Sequence, residues 1–543
     1  MVFWRNQMNA ALAVVSLSAI ALFRWHSLLG HDYWCYLATG RYIMTQGCFP
    51  RFDVFSWTVY GHPWVAHEWL FQLLVYWAYQ LGSWNAMTIF QILWIFAALL
   101  FVQQRLNDAK IPSVLQWGTV LTVFWGSRAR WGLRADLPSI VFLSLLSYTF
   151  LRKNSGHRDG MLLWSWPFLF CLWANMHGGF ILGLAVATLF ALDRWQANRL
   201  EHKKLLTWLI LCFIGTFVNP YGIGLYRSII HSLPSLGSSV LLEWTPTPWV
   251  PYQYFWGALI FFWIVFGFSQ KWRNIAWPQL FLHLLLSWIA IRHRRNVVFF
   301  LVVSFPQCLA WLWAWWEDRG IAQRLAKFNA VGVLVALAAS SIAIGRMAPQ
   351  VHWRLAPDFF AKESCDFIEK SNIQEPIFND FSLGSYWLWR FGTTKPLFID
   401  SRLHAVEGYL ELFEKSYAAR TGTAAEWNHF LDNFHIESAV IEYRPTEVGP
   451  ASAFYFDRTF WALTYWDDQT MIFVRRDAKN KGLIQKTEFR WVIPDESLPD
   501  FLARLQRASP TDRALAHAEL MRSQSLHPRS RRVHRFLTAL FSQ

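Results

Sequence analysis

Residues 31–69 read HDYWCYLATGRYIMTQGCFPRFDVFSWTVYGHPWVAHEW and hold Asp32, Asp53, His62, His67 and Glu68 among Trp and Tyr. A carboxylate with aromatic walls can serve as general base toward an acceptor hydroxyl. Two carboxylates together can hold a hard divalent cation such as Mg or Mn. Asp32, Asp53 and Glu68 are therefore the candidate catalytic residues, Asp32 and Asp53 the candidate metal ligands, and His67 a candidate substrate contact. The plainer reading is a loop of helix caps, with Asp53 a turn residue before Val54-Phe55-Ser56.

Two arginine clusters follow: Arg128, Arg130 and Arg134, then Arg292, Arg294 and Arg295 around His293. The guanidinium fork matches phosphate oxygens. Of these, Arg128, Arg134, Arg292, Arg294 and Arg295 are the candidate phosphate contacts; the alternative is snorkelling to ordinary headgroups. His177, in the turn Asn175-Met176-His177-Gly178-Gly179, either meets a substrate or caps a helix. Asn219-Pro220-Tyr221-Gly222 reads as a helix stop. Glu243 and Trp244 form an acidic–aromatic pair of the kind that suits a sugar, the ring against C–H groups and the carboxylate on hydroxyls.

The elements that must position these residues are apolar. Only 16% of the chain is charged against 54% hydrophobic. Soluble domains carry about 25% charged residues, so most of this chain is expected in lipid. Apolar runs place spans at 8–25, 85–103, 113–127, 137–152, 161–175, 179–194, 205–217, 252–269, 276–291, 297–315 and 328–346, about eleven in all. The first reads as an uncleaved span, since no small-residue cleavage site follows it. Val65–Leu81 is ambiguous, being interrupted by His67, Glu68 and Gln72.

Loop charge arbitrates, because cytoplasmic loops carry the excess of Lys and Arg. If 65–81 does not cross, fifteen basic residues fall inside and ten outside; if it crosses, eight and seventeen. The first arrangement predicts a cytoplasmic N-terminus, a helix at 65–81 lying on the outer face, and an exported C-terminal domain. It also gathers loops 26–84, 127–136, 175–179, 219–249 and 292–296 on one side. The spans carry few charges and no internal repeat is evident, which weakens a transporter reading.

Beyond residue 346 charges return. Short apolar strands at 376–378, 395–399 and 438–442 alternate with helical stretches at 405–417 and 423–434, which predicts a small α/β domain. Asp400-Ser401-Arg402 follows a strand, either facing a site or forming a buried ion pair. The expected layout is a transmembrane domain at 1–346, an α/β domain at 347–480 and a mostly helical tail at 481–543. The net charge of +14 is explained by loop anchoring, and no basic stripe interleaved with aromatics suggests nucleic acid. Cys35 and Cys48 share the first loop and could pair if it lies in an oxidising compartment; Cys171, Cys212 and Cys308 fall in apolar spans as packing residues.

A first loop with an early acid, followed by a surface helix, resembles the GT-C superfamily of polyprenyl-phosphate-dependent glycosyltransferases. These include oligosaccharyltransferases, protein mannosyltransferases and the aminoarabinose transferases of lipid A. More closely, the chain resembles a group of bacterial membrane proteins carrying D-x-W-x-x-L-x-T-G-x-x-I (32–43), P-x-x-D-x-F-S (50–56) and W-x-x-H-E-W-L (64–70). Further matches are W-A-N-M-H-G-G-F at 173–180, N-P-Y-G at 219–222, E-W at 243–244, 378–386 and 398–402. The resemblance implies an all-α polytopic GT-C-like membrane domain in a bacterial inner membrane, with a periplasmic α/β domain. It implies transfer of a sugar from a polyprenyl-phosphate lipid to a polysaccharide, lipid or protein acceptor. Asp32 takes the place of the superfamily's first-loop acid, as base or metal ligand, and Asp53 that of its second acid, although the spacing departs from a tight D-x-D. No W-W-D motif is present, against asparagine-linked transfer. The alternatives are a non-catalytic scaffold for envelope polysaccharide, which would tolerate Asp32→Asn, and a transporter of lipid-linked substrate.

Overall fold

A computed structural model describes residues 2–25, 32–151, 157–197, 202–232, 242–269, 273, 275–322, 362–371, 373–443 and 455–541. His31 and the span expected at 328–346 lie outside the described residues. The chain divides into two compact units: residues 1–49 with 65–355, and residues 50–64 with 356–543.

The first unit is helical. Its helices are α1 (Val2–Trp25), α2 (Asp32–Gln46), α3 (Trp69–Asp108), α4 (Ser113–Gly126), α5 (Asp136–Leu151), α6 (His157–Met176), α7 (Phe180–Ala197), α8 (His202–Gly215), α9 (Ile223–Ser232), α10 (Gln253–Phe268), α11 (Trp277–Arg292) and α12 (Val297–Glu317). Helices α3 and α12 form its spine: α3 packs on α2, α4, α5, α6 and α12, and α12 also packs on α4, α5, α10 and α11. Two described helical segments are long and apolar enough to cross a membrane, Trp69–Asp108 and Arg294–Glu317. Apolar side chains also point outward, among them Leu81, Leu93, Phe168, Ile214, Ile264, Phe268 and Trp288.

The ambiguous segment joins the next span. Residues 69–81 and 84–108 form one 40-residue helix with a kink at Gly82 and Ser83, where Ser83 has φ 53°. Residues 84–108 alone reach about 37 Å at 1.5 Å per residue, enough for a hydrocarbon core of about 30 Å. The half before the kink packs on α2 so closely that a Cβ on Gly40 would sit 2.6 Å from Tyr76 Cβ and 2.7 Å from the Gln72 carbonyl oxygen.

Arg105 is one of the fifteen basic residues that the loop-charge count places on the cytoplasmic side, in a loop at 104–112. It is buried in α3 and donates to Ser147 Oγ (2.7 Å), to the Val303 carbonyl (2.8 Å) and to Gln307. It therefore knits α3, α5 and α12 together. Cys35 (buried) and Cys48 (exposed) are free thiols, so the pairing considered for them is absent.

The second unit is built on a four-stranded sheet of order β1-β2-β4-β3, from β1 (Ile377–Asn379), β2 (Ser438–Glu442), β3 (Trp461–Trp466) and β4 (Thr470–Arg475). The β1–β2 pair is parallel and the others antiparallel. Helices Phe381–Phe391, Tyr409–Thr421 and Ala424–Asn433 accompany it. Residues 395–399, expected as a strand, form no regular ladder. Asn379 intervenes: its side chain accepts from Phe398 N (2.8 Å) and donates to the Ile399 carbonyl (2.8 Å), doing the work of a backbone partner. The β3–β4 hairpin was not anticipated. Its turn is held by Asp467, which accepts from the amides of Gln469 and Thr470 at 2.7 and 2.8 Å.

Residues 50–64 of the first loop belong to this unit. Leu397 exchanges backbone bonds with Phe55 and Trp57 at 3.0 and 3.1 Å, and Thr58 Oγ1 donates to the Phe398 carbonyl (2.7 Å). Three helices end the unit, Leu498–Arg507, Pro510–Leu526 and Arg531–Phe541. Ser497 and Ser509 cap the first two, each before a proline or its neighbour at the first turn. Buried Glu519 accepts from the amides of Arg490, Trp491 and Val492, tying the helices to the chain before them.

Candidate active site

Within the first unit an unbroken chain of ion pairs joins three loops. Asp32, the first residue of α2, lies 3.2 Å from Arg134. Arg134 also grips Glu243, whose other oxygen lies 3.3 Å from Arg130. Arg130 in turn pairs with Asp136 at the start of α5. Arg130 sits in a one-turn 3-10 helix and Glu243 in another. Tyr36, one turn along α2 from Asp32, accepts the amide of Ala135 at 3.3 Å. This bond fixes the Arg134 loop against α2.

Trp244 supports the next cation. The Arg295 guanidinium lies 4.2 Å from the centre of its ring, a spacing at which the ring face attracts charge. His293 bonds the Trp244 carbonyl (2.6 Å), and Arg294 donates to Thr245 Oγ1 (2.8 Å). The Glu243–Thr245 segment is thereby pinned to the α11–α12 corner. His67 and Glu68 precede α3, 3.6 Å apart.

The electrostatics follow from this crowding. Burial alone would raise the Glu243 carboxyl, but Arg130, Arg134 and Arg295 hold it down at about 2. Burial, aided by neighbouring Arg134, draws Arg130 down to about 10. Burial also pulls on both members of the His67–Glu68 pair, yet their mutual bond wins: His67 is raised and Glu68 lowered. His177 is drawn down to about 3, chiefly by burial.

Of the residues expected from sequence, Asp32, Arg134, Glu243, Trp244 and Arg295 stand in or directly on this chain of contacts. His67, Glu68 and His177 are within electrostatic reach of it: Glu68 feels His177 and Arg134, and His177 feels Arg295 and Arg130. Arg294 is a structural strut on Thr245. Arg128 bonds the Trp125 carbonyl (3.4 Å), closing the end of α4, and Arg292 is exposed. Sequence reasoning passed over Arg130 as a site residue and Asp136 and Tyr36 altogether. Asp136 looked like the polar edge of a span, and only its pairing with Arg130 marks it.

Asp53 falls in the second unit. It is fully buried, accepts from the Ser56 amide and hydroxyl, and lies 2.6 Å from Arg402. Arg402 is also held by Asp400 at 2.7 Å and lies 4.6 Å from the centre of the Trp64 ring. This is the geometry of the turn and buried-ion-pair alternatives for Asp53 and Asp400–Arg402. Among the described residues no three His, Cys, Asp or Glu side chains gather as a metal site would need. Asp32 and Asp53 are each paired with a guanidinium, Arg134 and Arg402 respectively. This donor set does not suit a divalent cation.

No family model and no curated protein matches the sequence. Solved structures do match in fold. The apo oligosaccharyltransferase of Archaeoglobus fulgidus aligns with a TM-score of 0.55 at 11% identity, over 96% of this chain and 86% of that one. The Archaeoglobus fulgidus oligosaccharyltransferase AglB, in complex with an inhibitory peptide and a dolichol-phosphate, aligns at 0.54 and 12%, over 81% and 70%. ArnT from Cupriavidus metallidurans bound to undecaprenyl phosphate gives 0.46 and 11%, over 88% and 99%. The chain therefore shares the fold of the two oligosaccharyltransferase structures, in line with the resemblance carried by its first loop.

Proposed function

We propose that the chain is a membrane glycosyltransferase that moves a sugar from a polyprenyl-phosphate donor to an acceptor on the outer, periplasmic face. The observation that carries this reading is the placement of Asp32 in one ion-pair chain with Arg134, Glu243 and Arg130, beside Arg295 on Trp244. In this reading Asp32 takes the proton of an acceptor hydroxyl as that oxygen bonds to the sugar carbon. The bond from that carbon to the phosphate oxygen breaks with its electron pair, and the lipid phosphate departs as an anion. Arg295 and Arg134 neutralise it, donors already in place where the charge develops. Glu243 orients Arg134 and Arg130, and the Trp244–Glu243 pair offers a face and an acceptor to the sugar. Glu68 is a second candidate base, with His67 as its partner. The dolichol-phosphate in AglB supports a polyprenyl-phosphate partner here.

The outward apolar side chains support a lipid setting for the first unit, since a water-facing surface with so many large apolar groups would aggregate. The test is sugar transfer by the purified full-length protein in lipid nanodiscs, using labelled polyprenyl-phosphate sugars. Asp32→Asn is expected to lower turnover by about 10²-fold or more, the usual contribution of a positioned base. Equal turnover in variant and wild type would overturn the assignment and favour the scaffold.

A further inference from the structure

His177 sits in the turn between α6 and α7, and its ring is held by more than a helix cap requires. The backbone amide of Gly179 donates to Nδ1 at 3.0 Å. An amide can only donate, so Nδ1 carries a lone pair and the ring proton is on Nε2. A second donor agrees. Trp173 Nε1–H donates to Ser139 Oγ (2.7 Å), so the Ser139 proton is directed onward to His177 Nδ1 (2.7 Å).

This relay is rigid. Ser139 and Trp173 are buried. The Trp173 ring is stacked between Phe142 and Phe170, with centroids at 5.3 and 5.5 Å. Any Cβ on Gly183 would overlap the indole, and one on Gly179 would lie 2.9 Å from both Ser139 Cβ and His177 Nδ1. Three helices thus converge on the orientation of one imidazole, while no acceptor for its Nε2 is found among the described residues.

We infer that Ser139 and Trp173 are positioning residues that fix His177 as a neutral Nε2–H donor, and that this donor bonds an oxygen of the substrate in the Asp32 site. The second half rests on the glycosyltransferase reading; the first does not. Burial keeps the ring from charging, drawing it down to about 3. Glu68 opposes this, and Arg295, His67 and Arg130 reinforce it. His177 therefore gives a hydrogen bond near neutral pH and carries no proton between groups.

The test is nitrogen-15 NMR of histidine-labelled full-length protein in nanodiscs, with His177 assigned by loss of its signals in His177→Gln. Nδ1 is expected unprotonated and Nε2 protonated from pH 5.5 to 8. An imidazolium at pH 6, or a proton on Nδ1, would overturn the assignment. Ser139→Ala leaves the Gly179 amide as donor to Nδ1, so the Nε2–H tautomer is expected to persist while the Nδ1 resonance shifts on loss of one hydrogen bond; an unchanged Nδ1 resonance would remove Ser139 from the relay. Addition of undecaprenyl phosphate is expected to shift the Nε2 resonance. If the lipid binds, by its effect on thermal stability, without that shift, the substrate contact fails and the glycosyltransferase reading stands. If the lipid does not bind while the tautomer holds, the relay stands and the donor assignment fails. In turnover, His177→Gln keeps a neutral donor near the Nε2 position and is expected to retain activity within about 10-fold. His177→Phe should lose about 10²-fold, the loss of one transition-state donor. Equal loss in both would mean that the ring serves only packing.

Discussion

Arg130 and Asp136 form the most enclosed link in the Asp32 chain, each with under a tenth of its side chain exposed. A buried pair of this kind is worth little against an apolar replacement, but removing one partner strands the other. Arg130 keeps Glu243 at 3.3 Å, so the loss is less than total. Asp136→Ala should destabilise the first unit by about 3 kcal/mol, toward the low end for broken buried pairs. The double variant Arg130→Leu with Asp136→Leu should recover most of that loss. Denaturant unfolding in detergent measures both, and a double variant no better than the single would show that the two charges are uncoupled. At this scale the sequence reveals residue types and hides pairings. Glu243 next to Trp244 was legible because the chemistry is adjacent in the chain. Ser139 carried no signal, since a serine inside an apolar run has many ordinary roles and only Trp173 and His177, more than thirty residues away, give it one.

Helix α2 delivers Asp32, and its position depends on the seam with α3. Gly40 is a tight point of that seam, with Tyr76 and Gln72 where a side chain would begin. Gly40→Ala must part the two helices by several tenths of an ångström, at a cost of about 1–3 kcal/mol for overpacking. Because Asp32 rides on the same helix, Gly40→Ala should also lower turnover, while Gly47→Ala, with nothing within 4 Å of its would-be Cβ, should leave the seam packing intact and lose only about 1 kcal/mol to its left-handed φ of 65°. Thermal unfolding and transfer assays on both separate the effects; similar melting temperatures for Gly40→Ala and wild type would show the seam to be slack. The elements themselves were largely legible, because apolar runs of helical length are dictated by what surrounds them. Two failures are instructive. Residues 395–399 have strand composition, but the Asn379 side chain takes the backbone bonds a neighbouring strand would have made. The hairpin at 461–475 was overlooked although W-A-L-T-Y-W, Asp467-Asp468 and T-M-I-F-V have the strand–turn–strand pattern. Both of its strands are buried along nearly their whole length, so the sequence lacks the polar alternation of a half-exposed hairpin.

For the molecule as a whole, composition separates an apolar first part from a charged second part, yet the boundary is not a single point along the chain. Residues 50–64 leave the first loop and join the second unit through Asp53–Arg402 and the bonds of Phe55, Trp57 and Thr58. No local pattern could disclose this, since the partners lie about 340 residues on. Orientation in the membrane rests on loop charge, and the burial of Arg105 removes one cation from the side counted as cytoplasmic. Arg130, counted on the other side, is buried as well, so the remaining bias still favours an outward first loop, by fourteen to nine. Cys48 makes this testable without adding a reporter. It is exposed in the first loop, whereas Cys35, Cys212, Cys308 and Cys365 are buried. In intact cells a membrane-impermeant maleimide should label the wild-type protein and leave Cys48→Ser unlabelled, apart from slow reaction at Cys171. A thiol needs water and its thiolate to react, so a buried cysteine cannot supply the difference. Labelling of Cys48 only after the membrane is permeabilised would turn the first loop, and with it Asp32, to the cytoplasmic face. The donor lipid would then have to be met from inside, and the periplasmic reading would fall.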